Sequence, residues 1–255
     1  MGHRQACRML TAVRVFLIFF VINPAVAGEV RLGVAANFTD TTRELAQRFE
    51  AETGHTVSAS FGSTGKLYAQ IRNGAPFDVF MAADVRRPAL IEEEQAGVPE
   101  TRFTYARGKL ALWSPTPDAF TDAERYLAQQ SFSRLAIANP KTAPYGLAAQ
   151  QVLEHLGHWD SLQGKLVRGD SIAQAFQFVV SRNAQAGFVA RSQVKSWDDD
   201  TGTLWDVPQA YYQPIDQQAI LLNRSAGKAA ALAWMDFLKS DTATAIIRSY
   251  GYDTA

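Results

Sequence analysis

The sequence predicts an α/β fold built on a parallel sheet with right-handed crossovers, and three observations predict it. Short apolar runs alternate with amphipathic stretches almost from end to end of the 255 residues. Several runs, such as Val79-Phe80-Met81-Ala82, are apolar at every position, as strands buried on both faces must be. The passage from run to stretch recurs through small or amide residues at four places, in the manner of a strand feeding a helix.

In chain order, the expected strands are 30–35, 56–61, 78–82, 103–106, 109–114, 135–138, 186–189 and 217–222, with a further short run at Leu166-Val167. The expected helices are 40–52, 66–73, 87–96, 121–130, 145–156, 172–182, 226–239 and 241–249. Helix 40–52 sets Leu45 and Phe49 four residues apart among charged neighbours, the stripe of a helix half-buried on a sheet. Two places interrupt the alternation. Tyr105-Ala106-Arg107-Gly108-Lys109 joins two strand-like runs without a helix, and a second break follows Pro208 as far as Pro214. The chain is therefore divided into a lobe of residues 28–107 plus 213–255 and a lobe of 108–212, with a cleft between them as the expected binding site.

Ahead of the first strand, Arg4, Arg8 and Arg14 precede an apolar run over residues 15–22, and Ala25-Val26-Ala27 ends it. This is the pattern of an export signal cleaved after Ala27, and the run falls short of the about 20 residues that span a bilayer. Lysine plus arginine balance aspartate plus glutamate at 25 each. Cleavage would remove three arginines and the single cysteine, Cys7, leaving a mildly acidic chain without thiols. Such a chain fits a bacterial periplasm better than a disulfide-stapled secreted domain. No basic run or basic-aromatic patch points to nucleic acid, and the sequence calls for no cofactor.

The four junctions carry the chemistry. They are Asn37-Phe38-Thr39, Gly62-Ser63-Thr64-Gly65, Asn139 to Gly146, and Gly169-Asp170-Ser171-Ile172. A helix start presents unpaired backbone N–H groups and roughly half a positive charge, which suits an anion. Three of the junctions hold no ionisable side chain except Lys141, so converging starts would bind an oxyanion through neutral donors. Each junction also has a plainer reading. Asn37 could cap the next helix, Pro144 could sit at a first helical turn where its missing N–H costs nothing, and Ser171-Ile172 is a weaker signal still. Gly62-Ser63-Thr64-Gly65 lacks both the lysine of a phosphate loop and the pattern of a hydrolase elbow. His155 and His158 share a helix face without an acid or cysteine to complete a metal site. Asp198-Asp199-Asp200 lacks the spacing of a calcium loop. No serine–histidine–aspartate set is evident.

At these same junctions the chain resembles the periplasmic molybdate-binding proteins of ABC importers. The likeness runs in order through Val34-Ala35-Ala36-Asn37-Phe38, through the segment from Ser60 to Ile71, and through Asn73-Gly74-Ala75-Pro76-Phe77-Asp78 with the strand that follows. It continues through Arg102 to Leu110, Ala143-Pro144-Tyr145-Gly146-Leu147-Ala148, Ala186-Gly187-Phe188-Val189-Ala190 and Tyr250-Gly251-Tyr252. The resemblance implies a two-lobed, type II periplasmic-binding-protein fold, each lobe a mainly parallel sheet flanked by helices. It implies that a molybdate or tungstate dianion is held by Asn37, Thr64, Tyr145 and Ile172, supported by Ala36, Ser63 and Ser171, with no direct ligand to the metal. Asn37 would offer its backbone N–H and side-chain amide. Where many members carry a ligand-binding tyrosine this chain has Ala190, and Tyr145 offers the aromatic hydroxyl instead, as in a second branch of the family. The implied protein is a non-enzyme and a monomer that delivers its ion to a membrane permease. A receptor for another oxyanion such as sulfate, or a periplasmic hydrolase of phosphate or sulfate esters, stands as the alternative. A donor-only pocket penalises phosphate, whose proton needs an acceptor; Asp170, if turned inward, would spoil that selectivity.

Overall fold

The computed structural model describes residues 27–197 and 202–254. All of the expected export signal except Ala27, and the Asp198-Asp199-Asp200 turn, lie outside them. The elements run β1 (Glu29–Ala35), α1 (Thr39–Thr53), β2 (Thr56–Gly62), α2 (Thr64–Arg72), β3 (Val79–Met81), α3 (Arg86–Glu93), β4 (Phe103–Gly108) and β5 (Leu110–Ser114). There follow α4 (Ala123–Gln129), β6 (Leu135–Ala138), α5 (Pro144–His155), α6 (Trp159–Leu162), β7 (Leu166–Gly169), α7 (Ile172–Val180), β8 (Ala186–Ala190) and α8 (Arg191–Lys195). The chain closes with β9 (Thr203–Asp206), β10 (Ile215–Leu221), α9 (Ala229–Phe237) and α10 (Asp241–Ser249).

The strands form two five-stranded sheets, ordered β2-β1-β3-β10-β4 and β7-β6-β8-β5-β9. Each sheet carries one reversed strand within the expected mainly parallel arrangement. β10 runs antiparallel to β3 and β4, and β5 antiparallel to β8 and β9. The remaining pairs, β1 with β2 and β3, and β6 with β7 and β8, are parallel, so the sheets are mainly parallel. The physical reason lies in the connections. Only Lys109 separates β4 from β5, and a 3₁₀ turn lies between β9 and β10, so the chain enters β5 and β10 from the other sheet without the helical crossover that sets a parallel neighbour. β9, α6 and α8 were not anticipated. β9 carries Thr203, Leu204 and Trp205, all partly exposed, and so lacks the apolar run of a buried strand.

Each sheet packs helices on both faces. Val30, Leu32 and Val34 of β1 point into a core with Leu45 and Phe49 of α1 and Trp234 of α9. The opposite face buries Phe80 and Ile220 against Leu67 of α2 and Ile91 of α3. In the second sheet Leu112, Leu135 and Ile137 pack on α5 through Tyr145, Ala149 and Val152. Trp113 stacks on Phe176 of α7 on the other face, ring centres 5.2 Å apart.

Just before β3, the Asp78 carboxylate anchors the first sheet. It accepts from the Arg31 N–H (2.7 Å), the Ser225 hydroxyl (2.5 Å) and the Lys228 ammonium (2.5 Å). Among the described residues, no helix is long and apolar enough to cross a membrane.

Candidate functional site

The carboxyl ends of β1, β2 and β3 meet those of β6 and β7 across a small cavity of about 10 Å³. Its lining includes Ala36 and Asn37 after β1, Ser63 and Thr64 after β2, Ala83 after β3, Tyr145 at the start of α5 and Ile172 at the start of α7. All four expected contact residues are thus brought together, with the expected supporting residues Ala36 and Ser63. Ser171 is not among the lining residues. Its hydroxyl accepts from the Gln174 N–H at 3.3 Å and caps α7, a structural use of the same side chain.

Convergence follows from local chemistry. α2 starts at Thr64, α5 at Pro144 and α7 at Ile172, while Ala36–Phe38 forms a 3₁₀ turn leading into α1. The first N–H groups of such turns have no intrahelical acceptor, and here residues that begin them line one space. Proline at the start of α5 fixes φ where its lost donor does not matter. Gly146 lets α5 lie directly on the end of β6. A Cβ there would stand 2.3 Å from the Ala138 carbonyl oxygen and 2.7 Å from its carbon.

Two hydroxyls in the cavity wall, Ser63 Oγ and the Tyr145 phenol, are buried without a hydrogen-bond partner. The Thr64 hydroxyl accepts from the Ala83 N–H at 3.0 Å, which leaves its own proton free to donate. Ser63, expected only in a supporting role, therefore presents a more available donor than its position in the sequence suggested.

Asn37 departs from expectation. It does not cap α1, and its side-chain amide is already spent. Nδ2 donates to Gln217 Oε1 (2.9 Å) and to the Tyr252 hydroxyl (3.1 Å). The Asn37 carbonyl accepts from the Tyr252 hydroxyl at 2.8 Å and the Ser192 hydroxyl at 3.4 Å. What Asn37 has left for the cavity is its backbone N–H at the first turn. Gln217, Tyr252, Ser192 and Tyr105 were not singled out from sequence as site residues. The available signal was a glutamine pair, Gln217-Gln218, opening an apolar strand run.

The lining is electrically neutral. Apart from the phenol of Tyr145, no ionisable side chain among the described residues lines it. Burial pushes the Tyr145 phenol well above its usual range, with the neighbouring phenols of Tyr252, Tyr212 and Tyr105 adding to the shift against the Asn37 amide. It therefore stays a proton-bearing donor throughout the neutral range. Asp170 points outward, its side chain 68% exposed, and pairs with Lys66 Nζ at 2.6 Å. The site's neutrality is preserved there. That pair bridges α2 to the β7–α7 junction, and two further contacts close the same mouth. Gly65 N–H donates to the Thr142 carbonyl (2.9 Å), and Arg87 Nη2 to the Lys141 carbonyl (3.2 Å).

A larger hollow of about 650 Å³ lies behind the crossover, lined by Arg107, Lys109, Arg191, Lys195, Asp206 and Asp253 among others. Three of its cations face carboxylates, Arg107 to Asp216 at 2.6 Å, Lys109 to Asp253 at 2.8 Å and Arg191 to Asp206 at 2.9 Å, so it reads as a solvated groove. His155 stacks on Tyr211 with ring centres 4.2 Å apart. Among the described residues, no group of three or more histidines, cysteines and carboxylates gathers as a metal site.

The sequence model of the bacterial extracellular solute-binding protein family matches residues 30–253. The chain belongs to that family. Among its relatives, the molybdate-binding protein ModA of Azotobacter vinelandii is 51% identical over 229 residues, 89% of this chain and 91% of the relative. ModA of Rhodobacter capsulatus is 48% identical over 243 residues, 95% of each chain. The solved periplasmic molybdate-binding protein of Azotobacter vinelandii superposes with a TM-score of 0.85 at 41% identity, covering 89% of this chain and 99% of that one. The family match over residues 30–253 spans both sheets of this solute-binding protein. Its neutral cavity lies where the fold of the family brings strand ends together, as α/β folds generally do.

Proposed function

We propose that this chain is the periplasmic receptor of an ABC importer for molybdate or tungstate. The ion is held between two lobes, residues 28–107 plus 213–255 and residues 108–212, and handed to the membrane permease. The observation that carries this reading is the pair of buried, unpartnered hydroxyls of Ser63 and Tyr145 facing a cavity without charge. A buried polar atom without a partner costs about 1–3 kcal/mol. A ligand that accepts from both relieves that cost on binding. Molybdate and tungstate are dianions near neutral pH and accept at every oxygen. The molybdate-binding names of the relatives agree with this chemistry.

In this reading Asn37, Thr64, Tyr145 and Ile172 bind the ion through backbone N–H groups, Thr64 and Tyr145 add hydroxyls, and Ser63 contributes a further one. The receptor is exported, cleaved after Ala27, and works as a monomer without a cofactor. An esterase reading has no support in the lining. A serine or threonine nucleophile there would have no base to take its proton, because no histidine or carboxylate among the described residues lines the cavity.

Thermal unfolding with molybdate, tungstate, sulfate and phosphate tests the assignment. Molybdate and tungstate are expected to stabilise the fold by about 2.7 kcal/mol at 100 times the dissociation constant, while phosphate gives no shift. No shift with either metal oxyanion would overturn the proposal. Tyr145→Phe is expected to weaken molybdate binding by roughly 1.5–3 kcal/mol, the worth of a hydrogen bond to a charged group. Its ion-free stability should be unchanged or slightly higher, since the lost hydroxyl has no partner. Titration calorimetry and denaturant unfolding measure the two effects separately. An unchanged affinity would show that the hydroxyl makes no contact with the ion.

A further inference from the structure

We infer that Gln217 is a positioning residue that turns the Tyr145 hydroxyl proton into the cavity and so sets the preference for fully deprotonated oxyanions. The inference rests on the oxyanion reading of the cavity. Gln217 is fully buried on β10. Its Oε1 accepts from Asn37 Nδ2 at 2.9 Å and from the Tyr105 hydroxyl at 3.3 Å, which fixes the direction of the amide. Its Nε2 faces away from those donors and has no acceptor.

The Tyr145 hydroxyl likewise has no partner within hydrogen-bond geometry, the nearby Asn37 amide nitrogen being committed to Gln217 and Tyr252, and the two orphans are neighbours. Gly108 stands at the crossover between the sheets, in register with Ile215 of β10. A Cβ on Gly108 would lie 2.0 Å from the Tyr145 hydroxyl and 3.0 Å from Gln217 Nε2. The two atoms are therefore no farther apart than those distances added together, and only a glycine leaves the space between them open. An amide nitrogen only donates, whereas a phenol oxygen both donates and accepts. The two do not hydrogen-bond in this structure; the pairing that satisfies both, made as the bound ion draws the phenol proton, runs from Nε2–H to the phenol oxygen. Once that oxygen accepts from Gln217, its own proton is left for the cavity, and the hydrogen bond in series strengthens it as a donor. Without Gln217 the phenol could turn a lone pair to the ion instead, which is what a protonated oxyanion such as hydrogen phosphate requires.

A double-mutant cycle decides it, read by titration calorimetry with molybdate and with phosphate at neutral pH. Gln217→Met is expected to weaken molybdate binding at least 10-fold and to lower the molybdate-to-phosphate affinity ratio. In the Tyr145→Phe background the same change should alter that ratio less than 3-fold, because there is no hydroxyl left to orient. Gln217→Leu also removes the amide donor and brings no charge into the fully buried site. It is expected to show the same coupling, and it carries the test if Gln217→Met does not fold by circular dichroism. Equal effects of the Gln217 changes with and without the Tyr145 hydroxyl would overturn the inference while leaving the oxyanion site intact. Wild-type protein that binds no molybdate would overturn both.

Discussion

Gly146→Ala should weaken molybdate binding by about 100-fold or more and lower ion-free stability at the same time. The added methyl would meet the Ala138 carbonyl oxygen at 2.3 Å, its carbon at 2.7 Å and the Asn139 carbonyl carbon at 2.8 Å. Every one of these atoms is backbone at the end of a central strand, so none can swing aside as a side chain would. Relief requires the start of α5 to lift from β6. That motion carries off the Tyr145 N–H and hydroxyl together. Two lost hydrogen bonds to a charged ion amount to about 3–6 kcal/mol, and each 1.4 kcal/mol is tenfold. The strain itself should cost about 1–3 kcal/mol of stability. Gly164→Ala is the control, since nothing lies within 4 Å of its new methyl. Calorimetry and denaturant melts of the two variants give the comparison. A Gly146→Ala protein that binds like wild type would mean the helix start does not hold the ion.

Asp78→Ala should lower stability by about 3 kcal/mol with little change in affinity. Removing one partner of a buried ion pair strands the other, and here it would also strand the Arg31 N–H and the Ser225 hydroxyl. The lower end of the usual 3–5 kcal/mol range applies because the Lys228 side chain is 36% exposed and can reach water. Asp78 precedes β3, whereas Ala83, which lines the cavity, follows it, so the site should be spared. The pH dependence has a definite sign. Burial alone would raise the Asp78 carboxyl, but the bonds from Lys228, Ser225 and the Arg31 N–H outweigh it and hold the group below the ordinary aspartate value. A depressed folded value stabilises above the unfolded one, and that stability is lost as pH falls through the folded value. The gap between wild type and Asp78→Asn should therefore be widest near neutrality and close below about pH 4. Urea unfolding of both proteins at pH 7 and pH 3.5 measures it, and a gap that widens on acidification would contradict the account.

Much of the fold was legible because burial leaves periodic traces. Strand 135–138 and helix 241–249 were read with the bounds the structure has, and Leu45 and Phe49 lie in the core that their spacing required. The antiparallel strands β5 and β10 were not legible. Strand direction depends on what joins one strand to the next in space, and an apolar run looks the same in either sense. β9 escaped because half-exposed strands at a sheet edge carry little apolar signal.

The site divides along similar lines. The sequence by itself determined the donor chemistry: four junctions of small and amide residues, almost free of charge, at the carboxyl ends of strands. That much follows from residue types, since only a limited set can end a strand and start a helix. The tertiary structure decided which donors remain free. It spends the Asn37 amide on Gln217 and Tyr252, turns Asp170 out to Lys66, uses Ser171 as a cap and leaves Ser63 and Tyr145 without partners. A hydrogen-bond partner on a buried side chain comes from anywhere in the chain, as Gln217 meets Asn37 across 180 residues. Only packing brings such a pair together.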